Sequence, residues 1–325
     1  MIYENNAFVG SGILYIDTLA ADGSKTGELD VGNTDNFVIE APKLTTKEML
    51  SSRTENYGQI IAKAVTSAPQ QAKFTIRDIR RKNLMYALLG VDNDLTQASG
   101  AVTGEPVMAA LWKYMKLSKR NLKQSPAPVV LSSEKTLTAN DIAFTATGKI
   151  IASTVGDFLV AGFAAGQKIL ITDTAHNNGV KTIATVAQHD ITVLETVTDE
   201  AAGSATVTVQ YTEGTDYEID YVVGRIIALA TGSIADLEAL NISYDVNVLT
   251  AYQIKANAMT QRDVFIRFVG VNIVDKKPIE IVIHKLVLQP TANVDWIAAD
   301  FAKLDLSGDI MSTPDGTWDV IKGAE

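Results

Sequence analysis

The hydrophobic and polar positions of this chain follow two different rhythms. Between Leu137 and Tyr244, short runs rich in Val, Ile and Thr recur between clusters of Gly, Asn and Asp, the pattern of short strands joined by turns. The clearest runs are 168–172, 180–186, 190–194, 205–209 and 239–244. Asn177-Asn178-Gly179 lies between two of them and supplies residues that tolerate positive φ in a tight turn. This spacing predicts an antiparallel sandwich or a small barrel.

Outside that block the rhythm is longer. Residues 36–50 and 56–66 read as the two arms of a long hairpin around a polar tip of Ser51, Ser52, Arg53, Thr54, Glu55 and Asn56. A third strand is expected at 70–77. Next, Ile79, Leu84 and Leu88 recur at helical spacing, with Asp78 placed to cap the helix and Gly90 to end it. Towards the C-terminus strands are expected at about 251–258, 263–272 and 279–288, the last two joined by Val274-Asp275-Lys276-Lys277-Pro278. A short helix carrying Trp296, Ile297, Phe301 and Leu304 is expected near 294–304. Within 263–272, alternation puts Phe265, Arg267 and Val269 on one face and Ile266, Phe268 and Gly270 on the other. Neither face is polar throughout, as for a strand between two packed layers or against a neighbouring protomer. An ordinary sandwich core strand fits equally.

Composition narrows the chemistry. The 325 residues are 46% apolar and 20% charged and include no Cys, which suits one large or two ordinary domains. Disulfides, thiolate metal sites, iron–sulfur clusters and a cysteine nucleophile are excluded. No run approaches the roughly 18–20 apolar residues that span a bilayer, and Met1-Ile2-Tyr3-Glu4-Asn5-Asn6 lacks a secretory layout. Synthesis and folding in the cytoplasm, without a membrane anchor, are expected.

The net charge of -10 is unevenly spread. Residues 1–40 carry 1 Lys or Arg against 7 Asp and Glu, 41–126 carry 14 against 6, 127–249 carry 5 against 15, and 250–325 carry 8 against 10. Together with Ser125-Pro126-Ala127-Pro128, which breaks helical geometry, these shifts predict a discontinuous outer domain (1–126 and 250–325) with an all-β insert (127–249).

No motif in the sequence carries catalysis. His176, His189 and His284 stand alone, and Asp173-x-x-His176 lies in a Gly/Asn turn. Gly23-Ser24-Lys25-Thr26 lacks both glycines of a phosphate loop, since Leu19 and Ser24 stand in their places. Gly10-Ser11-Gly12 is not continued into a dinucleotide fingerprint. Asp92-Asn93-Asp94 starts like a calcium loop, but Gln97 and Thr103 replace its Gly and Glu. It reads as a turn after the helix. The basic cluster Arg77, Arg80, Arg81 and Lys82 overlaps a helix start without interleaved aromatics, and reads as a solvated or subunit-facing patch rather than a nucleic-acid site. The expectation is a protein that is not an enzyme and has no cofactor and no metal.

The remaining signal is architectural. The hairpin from Asn36 to Val65, the segment Phe74-Thr75-Ile76-Arg77-Asp78-Ile79 through Leu89-Gly90, Val287-Leu288-Gln289-Pro290 and Phe301 to Gly308 together resemble phage tail tube (major tail) proteins over about 200 residues of the two chain ends. Ala146-Thr147-Gly148-Lys149-Ile150, Gly156-Asp157-Phe158, Ala161-Gly162-Phe163 and Gly166-Gln167-Lys168-Ile169 are similar to an accessory β-domain of such virion proteins. The resemblance implies a mainly β protein: a tail-tube β-sandwich with one or two flanking helices, plus an inserted sandwich or small barrel on the exterior. It further implies six copies in a ring, each giving four strands to an inner barrel, and stacked rings forming the virion tail conduit for DNA.

On that basis the tip Ser51 to Asn56 is the candidate ring-stacking element, and Phe265, Arg267 and Val269 belong to a lumen strand. The implied partners are further copies of the chain, tape measure and tail terminator proteins, a sheath in contractile tails, and DNA passing without specific binding. A conduit should not grip phosphates, so Lys43, Lys47, Lys63 and Arg267 are expected to have acidic partners or to face away from the lumen. The acidic insert would keep particles apart. The competing reading is a virion or surface module whose insert binds a host carbohydrate through Asp216-Tyr217-Glu218-Ile219-Asp220-Tyr221.

Overall fold

The structure, a computed structural model, describes residues 10–274, 276–290, 294, 296–297 and 300–322. With 56% of residues in strands and 3% in helix, the fold is mainly β. The chain divides into two compact units, Met1–Asp94 with Tyr252–Glu325, and Leu95–Ala251.

The first pass through unit one gives β1 (Gly10–Thr18), β2 (Leu29–Asp30), β3 (Thr34–Ile39), β4 (Leu44–Leu50), β5 (Ile60–Ser67) and β6 (Gln71–Ile76). Helix α1 (Arg81–Ala87) and β7 (Val91–Gln97) follow. Unit two holds β8 (Gly100–Met108), β9 (Tyr114–Lys116), β10 (Val129–Thr145), β11 (Ile150–Ala152), β12 (Lys168–Thr172) and β13 (Gly179–Val186). It continues with β14 (Asp190–Val193), β15 (Glu200–Tyr211), β16 (Tyr217–Asp220), β17 (Arg225–Ala228) and β18 (Ala239–Val246). The return pass is β19 (Leu249–Lys255), β20 (Arg262–Asn272), β21 (Pro278–Pro290), β22 (Leu304–Ile310) and β23 (Trp318–Lys322). The two crossings between units run along β7 and β19, which pair with each other.

The N-terminal boundary of the insert is at Leu95, not at 127. β8 pairs with β18 and β9 with β17, so the stretch before the prolines belongs to the insert. Its Gly, Pro and Thr content hides its strands. The charge shift at 127 falls inside unit two, because Lys113, Lys116, Lys119, Arg120 and Lys123 stand on its early strands and loops. Counted by structure, unit two carries 10 Lys and Arg against 16 Asp and Glu, and unit one 18 against 22.

In unit two, β10, β11, β14, β13, β12 and β15 close into a six-stranded barrel. The alternating apolar positions point inward, so Ile142, Phe144, Ile151, Ile169, Ile171, Ile183, Ile191, Val207 and Val209 fill the interior. Phe158 and Phe163, edge to face at 5.7 Å, join the same core. Closure removes free sheet edges. The core runs on through Tyr211, Tyr217, Ile226, Leu240, Ile242 and Tyr244, beneath β8, β9, β16, β17 and β18.

In unit one the strands lie in the order β2-β1-β20-β21-β22-β6-β3, and β23 shares the far edge of β21 with β22. Leu14, Ile16, Phe74, Ile76, Val264, Ile266, Ile283 and Leu306 line the inner face with the buried side of α1. Phe37 on β3 stacks on Phe268 of β20 at 5.7 Å, so the sheet curls over until its last strand faces the third. The N-cap of α1 is Arg80 and not Asp78, whose carboxylate instead takes the Arg80 guanidinium at 2.8 Å. The helix stops at Leu88, and Leu89, at φ 42, occupies the left-handed position expected for Gly90. Of the helix expected near 294–304, residues 295, 298 and 299 lie outside the described residues, Trp296 and Ile297 form a bend, and Leu304 opens a strand. No helix among the described residues is long and apolar enough to cross a membrane.

Candidate functional site

Strands β4 and β5 pair only with each other, and every residue of both is exposed. An isolated two-stranded ribbon is marginal in water, yet this one displays Leu44, Met49, Leu50, Ile60, Ile61 and Val65, each more than half exposed. Directly opposed pairs include Thr46 with Val65, Lys47 with Ala64 and Met49 with Ala62. Both faces therefore mix apolar and polar groups, and both outer edges present unpaired backbone donors and acceptors.

The tip is locally ordered. Ser51 is buried, its N–H donates to Gln59 O at 2.8 Å, and its hydroxyl donates to Asn56 Oδ1 at 2.5 Å. The Arg53 N–H donates to Ser51 Oγ at 3.2 Å, and a single 3-10 turn covers Thr54–Asn56. Ser52, Arg53, Thr54 and Glu55 are solvent-facing, and Asn56 is half-buried.

On β20, Phe265, Arg267 and Val269 do share one face, opposite the core-facing Val264 and Ile266. Their surroundings differ. Phe265 is 1% exposed, with the Lys25 ammonium 3.3 Å from its ring centroid. Arg267 pairs with Glu28 at 3.0 Å and with Glu280, and Val269 is exposed. Sequence reasoning missed the covering loop, because Gly23-Ser24-Lys25-Thr26 was weighed only as a phosphate loop. Asp17, buried, holds it by accepting the Thr26 and Gly27 N–H groups at 3.0 and 2.9 Å.

The basic cluster is neutralised within the chain: Arg77 by Asp35, Arg80 by Asp78, Arg81 by Asp92 and Asp94, and Lys82 by Asp92. Asp92-Asn93-Asp94 is consequently part of strand β7, not a turn after the helix. Lys63 sits 3.5 Å from Glu48. The histidines remain apart: His189 Nδ1 meets Gly156 O at 2.9 Å, and His284 Nε2 meets Asp319 at 2.9 Å. Among the described residues, no group of three or more His, Cys, Asp and Glu is arranged to hold a metal.

A protein-family model described as protein of unknown function UCP028589 matches residues 7–155 and 150–323. The chain belongs to this family. The match spans both units, so the barrel-bearing insert and the ribbon-bearing unit are both covered by it. No curated protein matches the sequence significantly.

Proposed function

We propose that this chain is a structural subunit that assembles with further copies of itself into stacked hexameric rings, the tail tube of a phage virion. The observation that carries the reading is the ribbon β4–β5, exposed on both faces and unpaired at both edges. Such a feature is an aggregation hazard in a monomer and is resolved when neighbours cover it. The mixed face of β20 and the open edge at β3 offer further strands for a shared barrel. Arg267 and Lys63 have carboxylate partners, which suits a wall that lets DNA pass without gripping it. Tape measure and terminator proteins would then meet the ends of the tube.

The alternative, a carbohydrate-binding insert, is favoured less: of its nominated residues Glu218 is exposed, but three others are engaged within the unit. Tyr217 is buried in the core, Asp216 accepts the Thr212 and Ser233 N–H groups at 2.8 Å, and the Tyr221 hydroxyl donates to Glu213 at 2.7 Å.

Negative-stain electron microscopy with light scattering over a concentration series tests the assembly reading. Rings or tubes of uniform width with a central hole are expected. Discrete monomers at every concentration, with scattering unchanged when the ribbon is removed, would overturn it.

A further inference from the structure

Unit one contains a pocket of about 490 Å³ lined by Leu29, Met85, Val91 and Met259, by Tyr86 and Arg262, and by the ion-paired Lys82 and Asp92. Arg262 opens β20 and is 7% exposed. Its Nη2 donates to Gly90 O at 2.8 Å and lies 2.9 Å from Met259 Sδ, and its guanidinium sits 5.8 Å from the Tyr86 ring centroid. Its Nε is buried with no hydrogen-bond partner. Among the described residues no carboxylate forms an ion pair with it, the electrostatically relevant one being Asp92. Asp92 is already matched by Arg81 at 2.7 Å and Lys82 at 3.2 Å. Burial pulls the Arg262 guanidinium below its ordinary pKa, as expected of a desolvated cation without a counter-charge. Breaking or omitting one partner of a buried pair is strongly unfavourable, so the site is arranged to receive an anion.

We propose that the pocket beside Arg262 binds a carboxylate carried on a short aliphatic segment. The guanidinium supplies the charge and a directional donor. The Leu29, Met85, Val91 and Met259 walls would bury methylene groups rather than a fully hydrated dianion such as phosphate. The Thr18 and Tyr86 hydroxyls, 3.2 Å apart, add polar contacts at one wall. The proposal does not depend on the assembly reading. The carboxylate has two available sources, a free aliphatic acid or an acidic side chain of a second copy.

The test is calorimetric titration of the full chain with hexanoate, against hexylammonium and inorganic phosphate as controls. Saturable hexanoate binding at millimolar concentration, absent for both controls, is expected, with at least a tenfold loss in Arg262→Met. Val91→Trp fills the pocket while keeping the guanidinium, and it should lose binding equally with an unchanged circular dichroism spectrum. No saturable hexanoate binding, or undiminished binding in folded Val91→Trp, overturns the site. Light scattering with saturating hexanoate then separates the sources. Suppressed association assigns the carboxylate to a second copy, and unaltered association assigns it to a free acid.

Discussion

Glu238 is the most deeply placed carboxylate of unit two, at 2% exposure. Burial opposes its ionisation and is the largest single influence. Hydrogen bonds from Lys135, Ser132, Tyr211 and the Ala235 N–H together outweigh it and hold the carboxyl below its usual range. The same environment, burial first and then the Glu238 charge, pushes the Tyr211 phenol far upward. Glu238→Ala should cost about 3 kcal/mol in denaturant unfolding, since it leaves Lys135 and two hydroxyls without their acceptor, against about 1 kcal/mol for Ser132→Ala. Asp141 is one contributor to acid behaviour. Hydroxyls of Ser153 and Thr154 and the N–H groups of Val155 and Thr154 hold its carboxyl at about 2, from an ordinary 3.8. A folded pKa below the unfolded one means stabilisation present above pH 3.8 and lost as pH falls towards 2. Asp141→Asn should reduce, without abolishing, the loss of stability of unit two across that window, since Asp157, Glu195, Glu200, Asp220 and Glu238 are also held low, as followed by near-ultraviolet circular dichroism. Little of this was legible in sequence, because a carboxylate's partners are set by topology. Gly12 and Gly270 make the same point. They stand opposite each other across β1 and β20, and an added Cβ on either would meet the Phe268 ring within 2.7 Å. In the sequence, Gly12 stands out only as part of an incomplete nucleotide motif.

At the scale of elements, the readable parts were those with strong periodicity. The five Val, Ile and Thr runs of the insert correspond to β12 to β15 and β18, the helix was found with its caps displaced, and β6, β20 and β21 fall within a residue or two of expectation. The illegible parts were polar strands such as β7 and β8, whose Asp, Gly and Pro content imitates turns, and the division of the long hairpin. Its proximal arm β3 pairs with β6 inside the sheet, while β4 and β5 stand free. That division makes a prediction. The Ala68 N–H donates to Lys43 O at 2.9 Å, so the chain is already closed at the ribbon's base. Replacing residues 44–67 with an Asn-Gly turn should change the stability of unit one by less than about 1 kcal/mol. The same deletion should abolish concentration-dependent scattering if the ribbon joins copies.

At the scale of the molecule, the insert is continuous in sequence and carries its own core, whereas unit one is built from both chain ends. A fragment of residues 95–251 should therefore fold alone, with dispersed amide resonances and a cooperative melt. Fragment 10–94 should not, because β1 and β6 lack β20 and β22. The net charges of the two units, close once the boundary is placed at Leu95, give neither a strong polarity. Composition overstated that contrast because it was read in sequence blocks that cut across the strands.

The discontinuity of unit one also sets an order of events on the ribosome. The first 94 residues emerge before Leu95–Ala251, and their sheet partners emerge after it. At about 5–20 residues per second, that interval lasts on the order of 10 to 30 s, during which the barrel can close while β1 to β6 wait. Unit one is completed only after β20 to β23 have followed the insert out. The exposed ribbon is thus mounted on a finished scaffold only after the insert has been made, which postpones any joining of copies until the return strands have emerged.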